Sequence, residues 1–179
     1  MAKRNKVTVD SFSASNFHTT ESRPYLFTAP STVWIHFTRT MTTGRKYRGV
    51  ISICLLDGYV TDGASTKWPV SLLVPNWRHG DDRYNAAPTA HDVLYSVRGV
   101  IPGLVRDTPV LDLSREECDD IIRGMWRCWG MSRFLAGCAD KGLECFAGGK
   151  QHWGNDGYNV RDRAVVRWRR TETCTKERK

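Results

Sequence analysis

From Thr32 to Arg39 the chain alternates, with Val33, Ile35 and Phe37 on one parity and Trp34, His36 and Thr38 on the other. A period of two is the mark of a strand with one buried face. Thr43-Gly44 supplies a turn, and Arg48 to Leu56 reads as the returning strand of a hairpin. Asp57-Gly58 turns again into a short strand, Tyr59-Val60-Thr61, followed by the loop Asp62-Gly63-Ala64-Ser65. Residues 66–85, punctuated by Pro69, Pro75, Gly80 and Asp81-Asp82, predict a long irregular connection that shapes a binding site.

Beyond that connection the period changes. A first helix is expected to start near Pro88, whose missing amide a first turn tolerates, and to run to about Arg98. A loop with Gly99, Pro102, Gly103 and Pro109 leads to a second helix. There Ser114 as N-cap and Glu117 three residues on spell a capping box. Its apolar stripe is Cys118, Ile121, Ile122, Met125, Trp126 and Trp129, the spacing of an amphipathic helix. A third helix is expected from about Ser132 to Phe146, ending at Gly148-Gly149. The fold class that follows is α+β: a small antiparallel sheet, then a three-helix region containing an antiparallel helix pair.

Composition fills in the organisation. The 179 residues suit a single domain over 17–160, flanked by a flexible basic arm at 1–16 and a basic tail at 161–179. The net charge of +8 is segregated: residues 1–9 carry +3 and 161–179 carry +5, so the segment between is formally neutral. Basic ends on a neutral body suit DNA, an anionic surface or an acidic protein. Within the tail, Arg167-Trp168-Arg169-Arg170 sets an aromatic among arginines, a pattern that can contact phosphates and stack. No apolar window reaches the length of a membrane span, and no export signal is read at the amino terminus. Six cysteines show no metal spacing, and with no export signal read, reduced thiols are expected.

Candidate chemistry gathers at His91-Asp92-Val93-Leu94-Tyr95. Residues four apart share a helix face, so His91 and Tyr95 are neighbours, while Asp92 points about 100° away. On the second helix, taking Cys118 as zero, Asp119 falls at about 100°, beside the buried stripe, and Asp120 at about 200°, toward water. If the helices pack antiparallel, Asp119 is the acid that reaches His91 or Tyr95. A carboxylate-held imidazole, with an ordinary pKa of about 6.5, can act as a general base. The same residues would equally form a satisfied polar network that fixes helix packing. Asp62 can bond amides in its own turn. Thr61, Asp62 and Ser65 stand out together, and alternatively Asp62 and Ser65 project beside His91, adding a carboxylate ligand or a hydroxyl, with Ser65 as a nucleophile. His18, His36, His79 and His152 show no metal-ligand spacing.

A helical His-Asp-x-x-Tyr with an acid on the next helix resembles phospholipase A2. The resemblance covers roughly residues 84–126. It implies His91 as base, Asp92 as a calcium ligand, Asp119 as the orienting acid and Tyr95 as its hydrogen-bond partner. The reaction it implies is hydrolysis of an sn-2 acyl ester with calcium polarising the carbonyl. The glycine-rich calcium loop of that family has no clear copy here; Asp62-Gly63-Ala64-Ser65 is the one candidate.

A second resemblance spans about Val33 to Trp153. Gly58-Tyr59-Val60-Thr61-Asp62-Gly63-Ala64-Ser65, then His91-Asp92-Val93-Leu94-Tyr95, then Ser114-Arg115-Glu116-Glu117-Cys118-Asp119 looks like domain of unknown function family 1353, known from tailed bacteriophages and prophages. The chain departs from it at Thr66-Lys67-Trp68-Pro69, where the family continues with Ile-Pro, at Cys118, where it has alanine, and in a longer loop at 99–112. The resemblance implies a phage setting, in the host cytoplasm or the virion. Two functions follow as expectations. One is a calcium-dependent hydrolase of lipid or cell envelope. The other is a non-catalytic virion or assembly component that binds DNA or a phage structural protein through its basic ends.

Overall fold

The computed structural model of the chain describes residues 4–63, 74–75, 77–138, 153–154 and 160–174. In chain order the elements are β1 (Lys6–Ser15), β2 (Tyr25–Leu26), β3 (Ser31–Thr40), β4 (Lys46–Leu55), β5 (Val60–Thr61), α1 (Asp82–Ser96), β6 (Val100–Ile101), β7 (Leu111–Asp112), α2 (Arg115–Trp129), α3 (Val160–Arg163) and β8 (Ala164–Cys174). Residues 133–138 are also helical; the remainder of the expected third helix lies outside the described residues. The fold is α+β, with no described helix long and apolar enough to cross a membrane.

The alternation of β3 sets the centre of an antiparallel sheet in the order β1-β3-β4-β8. Val33, Ile35 and Phe37 are fully buried, opposite Ile53, Ile51 and Gly49 of β4. Gly49 is required by its neighbour: a Cβ there would meet the Phe37 ring and the Arg169 carbonyl, each at 3.0 Å. The short β2 and β5 pair beside this sheet, and β6 pairs with β7.

Within both segments expected to be loose and basic, 1–16 and 161–179, the described residues form strands. Residues 6–15 form edge strand β1, because Val7, Val9 and Phe12 are apolar on the core side. A bulge at Asp10 shifts the register, and the three residues stay on one face. The expected tail contains β8, the opposite edge. Val166 and Trp168 face the core beside Ile53 and Ile51. The loop after β6 closes part of that edge, since Trp168 N donates to Pro102 O at 3.1 Å and Leu104 N to Trp168 O at 2.7 Å. Pairing here blunts an edge otherwise open to strand addition.

Helix α2 lies against the core face of the sheet. Gly124 permits the approach: a Cβ there would stand 2.7 Å from Val9 Cγ2 and 3.2 Å from Val9 N. The capping box at Ser114 and Glu117 forms as expected. Asp120 does not face water. It is 7% exposed, because β1 passes over it. Arg4 pairs with it at 3.0 Å, Arg123 at 2.9 Å, and Val7 N donates to it at 3.3 Å.

Helix α1 begins six residues before Pro88. Asp81 caps it, accepting from Tyr84 N at 2.8 Å, and Pro88 sits inside. Residues 84–90 are all buried, so no polar face marks this helix in the sequence. Its buried polar groups are satisfied locally. Asn85 trades hydrogen bonds with the Arg78 backbone at 2.7 and 2.8 Å, and Thr89 Oγ1 donates to Asn85 O at 2.8 Å.

Candidate active site

The two main helices run antiparallel. Trp129 at the end of α2 donates its indole N–H to Asp81 at the start of α1, at 3.0 Å. At the other end Tyr95 of α1 reaches Asp119 of α2. Helical spacing puts His91 and Tyr95 on one face, their ring centroids 4.0 Å apart. Both converge on a single oxygen. Asp119 Oδ1 lies 3.0 Å from His91 Nε2 and accepts from Tyr95 OH at 2.5 Å.

The cluster is sheltered, with the side chains of His91 and Asp119 exposed by 11% and 9%. Burial alone would raise the Asp119 carboxyl, but the His91 and Tyr95 hydrogen bonds and nearby positive charge hold it below its ordinary value. The Tyr95 phenol is pushed up, first by burial and then by the adjacent carboxylate, so it stays a donor. Arg115 Nε donates to Tyr95 OH at 3.0 Å, and Trp153 packs its edge on the Tyr95 ring at 5.0 Å. Neither residue was singled out from sequence. Arg115 was legible: it stands four residues before Asp119, on the same helix face. His91 Nδ1 has no hydrogen-bond partner among the described residues.

Asp92 belongs to a second cluster, as its 100° offset requires. It accepts from Thr61 Oγ1 at 2.8 Å, and Thr61 in turn receives Gly63 N at 3.0 Å. Burial, followed by repulsion from Asp62, drives the Asp92 carboxyl up to about 8. Asp62 is paired with Arg23 at 2.6 Å. Thr61 and Asp62 therefore gather at Asp92, where the expectation set Asp62 and Ser65 beside His91; Ser65 lies outside the described residues. Calcium takes six to eight oxygens. This cluster offers two carboxylates and a hydroxyl, with Arg23 already supplying positive charge. Among the described residues no group of three or more His, Cys, Asp or Glu side chains is placed to hold a metal. The described residues do not make a calcium cage.

The proposed nucleic-acid residues of the tail separate. Arg167, Arg169 and Arg170 are exposed, and the Arg170 guanidinium lies 4.8 Å from the Tyr47 ring centroid. Trp168 is 2% exposed, and its indole donates to Pro109 O at 2.8 Å. It is a core residue and cannot stack on a base. Strand parity is the reason: Trp168 shares the inward face with Val166.

No protein-family model, no curated protein and no solved structure matches this chain. The likeness to phospholipase A2 and to the phage family rests on the motifs quoted above.

Proposed function

We infer that the chain is a hydrolase in which His91 acts as general base. The observation that carries this reading is the shared Asp119 oxygen, which holds Nε2 of His91 and leaves Nδ1 without a partner among the described residues. A water on Nδ1 would lose its proton to the imidazole as its oxygen bonds to an ester carbonyl carbon. Asp119 would balance the imidazolium, and Tyr95 with Arg115 would keep that carboxylate oriented. As the bond to the leaving alkoxide breaks, the same proton passes to it and the imidazole is restored. The resemblance to phospholipase A2 favours a phospholipid or other acyl ester of the cell envelope. The three-motif order favours a phage setting.

Mixed-phospholipid vesicles and a fluorogenic acyl ester, each with and without calcium, test the reading. His91→Gln is expected to abolish hydrolysis and Asp119→Asn to lower it about 100-fold or more. Turnover in calcium alone, lost in Asp92→Asn, would assign the cation to the Asp62–Asp92 pair. An inert parent protein whose His91→Gln variant merely melts lower would leave a packing network. That outcome would favour the non-enzymatic virion or assembly component.

A further inference from the structure

The outer face of the sheet, turned away from α2, carries a chemistry that His91 does not use. Register fixes which side chains share it. Trp34 lies in one rung with Ser13, Ser52 and Arg167, and His36 lies in the next with Ser11, Val50 and Arg169. Trp34 is 43% exposed although it sits on an interior strand whose other face is fully buried. His36, Arg167 and Arg169 are exposed too. Positions two apart on a strand are separated by about 6.8 Å, and neighbouring strands by about 4.8 Å. The two ring residues thus share one column and the two arginines a parallel column roughly 10 Å away, with Arg167 Nη1 donating to Val166 O at 2.9 Å. Among the described residues, the small Ser52 and the buried Val50 stand between them.

Charge selects the ligand class. The basic segments 1–9 and 161–179 supply β1 and β8 at the two edges of this sheet, and with them Lys6, Arg167 and Arg169 on this face. Strand parity adds Lys46 to the same face, and the ion pair of Arg48 with Glu172 at 3.1 Å. Asp10, which accepts from Thr38 Oγ1 at 2.8 Å, is the acid that remains against them among the described residues.

The geometry points to a platform for single-stranded nucleic acid, with bases stacked on Trp34 and His36 and phosphates held by Arg167 and Arg169. Stacking on rings while cations track the backbone tolerates any base sequence. A duplex hides its base faces, and an acidic protein has no use for the ring column. This inference is independent of the hydrolase reading.

Anisotropy of a labelled oligodeoxythymidylate of about 15 nucleotides, titrated over a range of salt, tests it. Trp34→Ala is expected to weaken binding roughly ten-fold or more, with Trp34→Phe restoring most of it. Arg167→Ala and Arg169→Ala should each reduce the log–log salt slope by about 0.7. Should Trp34→Ala fail to fold, His36→Ala and quenching of tryptophan emission by the oligonucleotide probe the same stacking. No binding by the parent at low salt overturns the proposal. So does a duplex of equal length that binds as tightly as the single strand, or an affinity indifferent to both rings.

Discussion

Arg39 is the charged member of an inward-facing row that otherwise reads Val33, Ile35 and Phe37. It makes a bidentate pair with Glu117 at 2.7 Å for each contact and donates to Asp112 O at 2.8 Å. Glu117 closes the capping box as well, so one carboxylate ties sheet, loop and helix start together. Arg39→Ala would strand a buried charge, and about 3–5 kcal/mol of stability should be lost. A urea melt within about 1 kcal/mol of the parent would contradict this. Asp92 offers a test of opposite sign. Its pKa rises from an ordinary 3.8 to about 8 on folding, so both states are protonated below about pH 4. Between the two values the unfolded chain ionises first, and the native state loses stability as pH rises. Asp92→Asn keeps an acceptor for Thr61 and should therefore stabilise the protein, by little at pH 4 and by a few kcal/mol at pH 8. Equal melting-temperature differences at the two pH values would refute that assignment. Calcium that raises the melting point of the parent but not of Asp92→Asn would place a cation at the pair. Of these residues, the His91, Tyr95 and Asp119 grouping was legible because helical angles are independent of packing. The burial of Asp120 was not, because β1, which covers it, is more than a hundred residues away in sequence.

At the level of elements, β3, β4 and α2 were readable from local rules: unbroken alternation, a turn, and a capping box. The elements that escaped did so for physical causes. The bulge at Asp10 breaks the period of β1, and its outward positions are serine and threonine. In β8 the outward arginines mask the inward Val166 and Trp168. Helix α1 is buried all round over residues 84–90 and contains Pro88, so neither amphipathicity nor a proline-free run marks its start. These elements change what a truncation means. Deleting 161–179 does not trim a loose tail; it removes a strand and uncovers Ile51 and Ile53 beside an unpaired edge of β4. The truncated chain is expected to lose its cooperative thermal transition and to associate on a sizing column. A monomer with the parental melt would show β8 to be dispensable. The contribution of the arginines to binding must accordingly be read from point substitutions.

Taken whole, the molecule puts its two chemistries on opposite sides of one sheet: a carboxylate-held imidazole among the helices, and an exposed ring-and-guanidinium face behind them. Strands β1 and β8 are the outer strands, and the helices lie between them in sequence. That arrangement orders events during synthesis. A ribosome extrudes β3 and β4 long before Trp168 exists, so one flank of the hairpin stays bare until β8 emerges. Termination or proteolytic nicking ahead of β8 would therefore release a sticky intermediate with the β4 edge bare, rather than a shortened protein.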